Sequence, residues 1–294
     1  MSEELKNKVK ELLKTKQIEV LIGYGRASDG ISATPIFIET EEEVEKLVWD
    51  SHCVYNLANY LRDFPQKKMG IIAKGCDVKS ILVLIQENQL KRENVLIIGI
   101  ECSGVIDEKK LGDDKESLGE IGFDQRCAKC KPAIPQLYDI LIAQKDKKTH
   151  TKEEQEDLYE PVRKFEAKSI QEKFNFWQEE FSRCIRCYAC RQICPMCYCP
   201  KCVADQASPV WFSRQTNFEG NFSWNITRAM HLAGRCIDCG ECERACPVGI
   251  PLRDINKKIE KDVKELFNYE AGTDTEQKPL FSSFGKDDPE DFIR

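Results

Sequence analysis

The sequence predicts two regions of different make-up: an α/β N-terminal domain with a parallel sheet, and an α-helical, cysteine-rich domain after it. Three observations predict this. Short apolar runs alternate with helical periods as far as about residue 142. A charged stretch poor in apolar residues then interrupts the chain at 144–157. Beyond it, Cys184-Ile-Arg-Cys187-Tyr-Ala-Cys190-Arg-Gln-Ile-Cys194-Pro195 recurs as Cys236-Ile-Asp-Cys239-Gly-Glu-Cys242-Glu-Arg-Ala-Cys246-Pro247. The expected organisation is an α/β domain over 1–143, a linker over 144–158, a second domain over 159–270 with a cysteine-rich insertion at 195–235, and a tail over 271–294.

Taken in order, residues 2–16 are expected to be an amphipathic helix with Leu5, Val9, Leu12 and Leu13 on one face. Ile18–Ile22 is a strand, after which Gly23-Tyr24-Gly25 is expected to turn. A Gly-x-Gly at this place opens a nucleotide site only with a third glycine, which is missing at the right spacing. A short strand follows near Pro35–Ile38. Thr40-Glu-Glu-Glu43 has the pattern of a capping box, predicting a helix to about Asp50 and a second to about Arg62, with Cys53 between or within them. Met69–Lys74 and Asn94–Ile100 are apolar strands joined by a helix that runs to about Leu90, a βαβ unit with parallel strands. Cys76 and Cys102 stand just past the carboxyl ends of those strands, the edge of an open α/β sheet where ligands bind. Cys127-Ala-Lys-Cys130 adds a C-x2-C pair in a polar loop. Cys76, Cys102, Cys127 and Cys130 therefore form a candidate four-thiolate set; the alternative is two buried cysteines plus an isolated pair. Gly75 and Gly104 free the backbone where such a loop needs it. In the second domain, Val162, Phe165, Ile170, Phe174, Trp177 and Phe181 suit one helix over 159–181 whose aromatic stripe covers whatever the cysteines hold. Helices are also expected over 222–233, with His231 inside, and over about 251–268.

Each long run reads C-x2-C-x2-C-x3-C-P, the spacing that holds cubane iron–sulfur clusters in bacterial-type ferredoxins. Three thiolates at short spacing wrap one cube, and the fourth starts a helix that carries it to the other cube. The expected sets are Cys184, Cys187, Cys190 with Cys246, and Cys236, Cys239, Cys242 with Cys194. The second domain is thus predicted to be a ferredoxin-like dicluster [4Fe–4S] domain. Cys197-Tyr-Cys199-Pro-Lys-Cys202 supplies three more thiols. Cys53 is the one cysteine left over, so Cys53, Cys197, Cys199 and Cys202 are the candidates for a fourth cubane. A structural zinc at Cys197, Cys199 and Cys202, or unliganded thiols, are the alternatives. Arg183, Arg186, Arg191, Lys201, Arg235 and Arg244 flank the ligands, where cations favour an anionic cluster and raise its potential.

Sixteen cysteines in a chain of 294 residues would mean disulfides only in a small exported protein. The start, Met1-Ser-Glu-Glu-Leu-Lys, is charged and lacks the apolar region of a signal peptide, so metal binding and a cytoplasmic location are expected. No apolar run approaches the roughly 20 residues of a membrane span. The net charge of −6 argues against nucleic acid as a partner.

The segment Gly75-Cys76-Asp77, Ile98-Gly-Ile-Glu-Cys102-Ser-Gly104, Cys127-x-x-Cys130 and Tyr138-Asp-Ile-Leu-Ile142 resembles the carboxyl-terminal domain of the beta subunits of deazaflavin-dependent hydrogenases and formate dehydrogenases. That resemblance implies that Cys76, Cys102, Cys127 and Cys130 are cluster ligands. Residues 184–246 resemble dicluster ferredoxin modules of anaerobes. Together they imply an iron–sulfur subunit relaying single electrons between a catalytic subunit, such as formate dehydrogenase or hydrogenase, and a heterodisulfide-reductase-like or ferredoxin partner. The flavin-binding Gly-Gly of the family is absent, since residues 51–61 read Ser-His-Cys-Val-Tyr-Asn-Leu-Ala-Asn-Tyr-Leu. Two alternatives stand beside this reading. One is a beta subunit with its own FAD and a deazaflavin, ferredoxin or NAD(P) substrate. The other is a zinc-stabilised interaction subunit with two clusters. No triad or paired carboxylates argue for catalysis by this chain alone.

Overall fold

The computed structural model describes residues 3–110, 122–128, 130, 134–142 and 157–282. The chain separates into two compact units, one of Met1–Glu156 with Gly272–Thr275, the other of Asp157–Ala271 with Glu276–Arg294. The predicted linker falls at 144–158, mostly outside the described residues.

In the first unit, helix α1 (Glu3–Lys14) buries Leu5, Val9, Leu12 and Leu13, the four positions its period marks. They pack with Ile18, just before the first strand, and with Leu21, Ile38, Ile72 and Ile98 of the sheet. Burying side chains of this size stabilises by about 1.5–3 kcal/mol each. The sheet has strands β1 (Val20–Arg26), β2 (Ala33–Ile38), β3 (Met69–Ala73), β4 (Val95–Ile100) and β5 (Ile140–Ile142) in the order β2-β1-β3-β4-β5. The pairs β1–β3, β3–β4 and β4–β5 are parallel, and β2 closes one edge antiparallel. Strand β3 is buried at all five residues, as expected of a strand covered on both faces. Helix α2 (Gly75–Gln86) connects β3 to β4.

Two local expectations are corrected. Gly23-Tyr24-Gly25 does not turn; both glycines lie inside β1, where a Cβ would meet Leu47 at 2.6 Å and Ile36 at 2.8 Å. They admit neighbouring side chains rather than a ligand. The Thr40–Glu43 box does not open an α-helix either. A single 3-10 turn forms at Glu42–Lys46, and Leu47 becomes extended, bridging Gly25, while Val48 N–H donates to the Tyr24 carbonyl at 2.8 Å. Sheet pairing there replaces the hydrogen bonds a helix would have made. The second expected helix is likewise a 3-10 stretch, Leu57–Asp63. The four-residue helix α3 (Gln125–Ala128) precedes β5. Part of the predicted tail, Gly272–Thr275, joins the first unit, where Gly272 at φ +71° leaves no room for a Cβ against the Lys79 backbone.

The second unit is helical. The helix expected over 159–181 is two: α4 (Glu160–Glu166) and α5 (Ile170–Ser182). Ser169 breaks them because its hydroxyl caps Glu172 N–H while the Glu172 carboxylate accepts from Ser169 N–H, a reciprocal box. One-turn helices α6 (Ala189–Gln192) and α8 (Glu241–Arg244) lie in the two cysteine runs. Between the runs stands α7 (Phe218–His231), capped by Asn217; α9 (Leu252–Phe267) follows the second run. His231 is exposed at the end of α7. Among the described residues no helix is long and apolar enough to cross a membrane.

Candidate metal centres

In the first run, Arg186 (φ 57°) and Tyr188 (φ 60°) take the left-handed conformation, and α6 begins directly after. Alternate left-handed residues curl the loop between Cys184 and Cys190, and such loops gather backbone N–H groups toward an anion. Left-handed backbone costs roughly 1 kcal/mol at a non-glycine residue. Contacts hold it here: the Arg186 guanidinium donates to the Gly220 carbonyl at 2.7 Å and the Ser213 carbonyl at 3.1 Å. Tyr188 packs edge-on against Trp224 at 5.0 Å between centroids. The second run repeats the geometry at Asp238 (φ 56°) and Gly240 (φ 70°).

The thiols group across the runs. Burial pushes the Cys190 thiol up; Arg228 opposes that shift, and Cys184, Cys246 and Cys187 are its thiol neighbours. Cys239 is raised by burial and Glu241, with Cys194 and Cys236 beside it, and Cys236 in turn is close to Cys242. Burial pushes Cys242 up to about 12. Cys194, Cys236, Cys239 and Cys242 line one cavity together with Ile237, Arg228 and Asn256. The Sγ of Cys246 accepts from Ile250 N–H at 3.4 Å, and that of Cys242 from the Asn256 amide at 3.6 Å. Cys190, Cys242 and Cys246 share an apolar core with Phe181, Ile250 and Leu252; Trp177 stacks on Phe181 at 5.0 Å. The far end of the expected stripe behaves differently, with Ile170 exposed and Phe174 half-exposed.

Cys194 differs from the others. A hydrogen bond from Cys197 holds its thiol down at about 6, against burial, and Cys197 itself is raised. Cys202 hydrogen-bonds Arg191, which also pairs with Asp205 at 2.8 Å. Cys199 is exposed. Cys53 belongs to the first unit, where it is 1% exposed and raised to about 12 by burial, accepting from Asp50 N–H at 3.5 Å. Among the described residues no three His, Cys, Asp or Glu side chains converge tightly enough for a single metal ion.

In the first unit Cys76 sits in the first turn of α2 and Cys102 just past β4. Burial raises both thiols; Cys130 and Cys102 are neighbours of Cys76, and Cys127 of Cys102. Gly104 N–H donates to Cys102 Sγ at 3.4 Å. The four candidates of this unit are therefore gathered at one sheet edge. A buried cation that the sequence did not single out faces them. Lys74 is 3% exposed, paired with Asp77 at 3.2 Å and bonded to the Tyr24 hydroxyl and the Tyr55 carbonyl. It acts to lower both Cys76 and Cys102.

The flanking cations divide by what they touch. Arg244 is neutralised by Glu241 at 2.9 Å, and Arg183 pairs with Glu180 and donates to the Val248 carbonyl. Arg235 lies over the Tyr198 ring at 5.5 Å, and Lys201 is exposed. Arg186 is buried and bonded to neutral oxygens. The donor sets fit anionic cubanes. Burial raises Cys76, Cys102, Cys190, Cys236, Cys239 and Cys242 among their thiols, backbone and amide N–H groups point at sulfur, and the buried Arg228 keeps its Nε without a partner.

Residues 183–251 match the family model described as 4Fe-4S dicluster domain. The carboxyl-terminal unit thus contains a 4Fe–4S dicluster domain behind a mostly parallel α/β unit. The chain is 26% identical over 355 aligned residues to F420-dependent formate dehydrogenase subunit beta of Methanocaldococcus jannaschii, covering 93% of this chain and 92% of the relative. It is 24% identical to F420-dependent formate dehydrogenase 1 subunit beta of Methanococcus maripaludis, covering 92% and 90%. The similarity to formate dehydrogenase beta subunits therefore runs well beyond residues 69–142. The first alignment is longer than this chain, so the relative carries inserted residues that are absent here. A solved F420-reducing [NiFe] hydrogenase complex from Methanosarcina barkeri is similar at 14% identity and a TM-score of 0.31, over 36% of this chain and 40% of the other.

Proposed function

We propose that this chain is the iron–sulfur electron-transfer subunit of a cytoplasmic oxidoreductase complex. It exchanges single electrons between a catalytic subunit of the formate dehydrogenase or hydrogenase kind and a heterodisulfide-reductase-like or ferredoxin partner. One observation carries the reading: thiols of the two runs are neighbours across them, Cys246 beside Cys190, and Cys194 lining one cavity with Cys236, Cys239 and Cys242. Cys184, Cys187, Cys190 and Cys246 would hold one cubane and Cys236, Cys239, Cys242 and Cys194 the second. Cys76, Cys102, Cys127 and Cys130 would hold a third. Bound clusters supply reversible one-electron chemistry. The protein residues hold them, exclude water through Phe181, Trp177 and Leu252, and set their potentials by charge and N–H···S bonds. The relatives are named beta subunits of formate dehydrogenases, which supports the choice of catalytic subunit.

Iron and acid-labile sulfide per anaerobically purified chain test the reading. Roughly 12 of each is expected for three cubanes, and roughly 16 if Cys53, Cys197, Cys199 and Cys202 complete a fourth. Roughly eight with one zinc would replace it with the zinc-stabilised subunit. The relatives are named F420-dependent, which favours the flavin-containing beta subunit as the second reading. Free flavin released by acid would support that reading; release of iron and sulfide alone would not.

A further inference from the structure

Arg228 stands on α7, in the insertion that separates the two cysteine runs, and is 4% exposed. One guanidinium N–H donates to the Cys190 carbonyl of the first run at 2.9 Å. The same side chain lines the cavity formed by Cys194, Cys236, Cys239 and Cys242. Its electrostatic neighbours are Cys242, Cys194, Cys190 and Cys197, thiols from both runs and from the insertion. No carboxylate among the described residues pairs with it, and its Nε has no hydrogen-bond partner. A guanidinium removed from water without a counter-charge costs several kcal/mol. This fold keeps one at the place where two sets of four thiols meet. The groups that face it and can compensate its charge are these thiols, as thiolates, and what they bind.

We propose that Arg228 is the shared counter-charge of the two dicluster sites, a positioning residue that raises the reduction potential of both clusters together. The inference rests on the reading that both thiol sets hold cubanes. An added electron makes either cluster more negative, and a fixed buried cation in contact with both sites favours that state at each. A residue bound to one loop alone would move one potential. Arg228 touches the first run through the Cys190 carbonyl and the second through the cavity wall, so it moves two.

The test is an anaerobic redox titration of the full chain followed by electron paramagnetic resonance, with iron and sulfide counted on the same samples. Arg228→Gln keeps a donor for the Cys190 carbonyl and removes the charge. Both dicluster potentials are expected to fall while the iron count stays at the wild-type value. Arg228→Lys, which keeps the charge and relocates it, is expected to shift both by less. Should the Gln variant fail to retain iron, the Lys variant decides: the two potentials staying together, both shifted or both near wild type, supports the proposal, and movement of one alone overturns it. A Gln variant with full iron and one or no shifted potential also overturns it, leaving Arg228 a purely structural residue. Wild-type protein without cubane signals would sink the underlying reading and this inference with it; wild-type signals indifferent to Arg228 sink the inference alone.

Discussion

In the first cysteine run Arg186 and Tyr188 stand at φ 57° and 60°; in the second, Asp238 and Gly240 take the same two steps at 56° and 70°. The thiols that follow, Cys190 and Cys242, are buried alike. What surrounds the loops is not alike. Ile185 is 56% exposed whereas its counterpart Ile237 is 7% exposed, and Cys187 is exposed whereas Cys239 is half-buried. Arg186 brings a buried cation bonded to neutral oxygens, while Asp238 brings a carboxylate held by Arg253 and Lys257. One backbone design therefore serves two electrostatic settings. The first run is thus the more solvent-exposed of the two loops.

The comparison fails at its root if the runs are independent loops, and the crossing cysteines test that with the largest effect. Cys246 lies in the second run but neighbours Cys190, and Cys194 lies in the first but neighbours Cys239. Cys246→Ser is expected to lose roughly four irons together with the first run's resonance signal, and Cys194→Ser the signal of the second. Each serine losing its own run's signal would break the crossed arrangement.

Four of the five strands, the buried face of α1 and the cysteine spacings were legible because each is a local pattern with one strong physical cause. Leu5, Val9, Leu12 and Leu13 follow the helical period, and β3 is apolar throughout because both faces are covered. The misreadings have non-local causes. Thr40–Glu43 carries the letters of a helix cap, but Leu47 and Val48 pair with β1 instead. Gly23 and Gly25 are small because Leu47 and Ile36 press on them from elsewhere in the chain. Arg186 was visible as a flanking cation, being two residues from Cys184. Arg228 was not, because it lies 34 positions beyond Cys194 and reaches the thiols only through the placement of α7. Lys74, adjacent to Gly75-Cys76, had a local signal that spacing rules for cysteine do not read.

A smaller effect separates the sites by pH. Metals bind the thiolate, so loading releases a proton from each ligand, and a thiol with a raised pKa loads less readily as pH falls. Burial raises Cys236 and Cys239 well above the ordinary thiol range and Cys242 to about 12. Assembly at the second run from the apo chain with iron and sulfide is therefore expected to decline from about pH 9 to about pH 7. The hydrogen bond from Cys197 works in the opposite sense by holding Cys194 near 6. Cys197→Ala removes that donor and is expected to steepen the decline. Site-resolved resonance spectra against pH measure both slopes, and a flat profile at the second run would remove this distinction between the sites.

The smallest effect bears on the charges at the matched loop positions. Asp238 is anionic at neutral pH: burial works against ionisation, but the hydrogen bonds and charges of Arg253 at 2.6 Å and Lys257 at 3.0 Å prevail. Asp238→Asn preserves the shape and removes one negative charge beside the second run, where Lys257 keeps Glu260 at 2.7 Å. Its cluster should then become easier to reduce, by on the order of tens of millivolts for a unit charge at an effective dielectric near 20. Arg186→Gln removes a cation from the first run and should shift that cluster the other way by a similar amount. The two variants together narrow or reverse the difference in potential between the sites, which a redox titration reads directly. If neither potential moves, the loop charges are screened, and the contrast between the runs reduces to exposure alone. A shift at the second run without one at the first would show instead that Arg186 acts through its bonds to Gly220 and Ser213, holding the loop's shape rather than its charge.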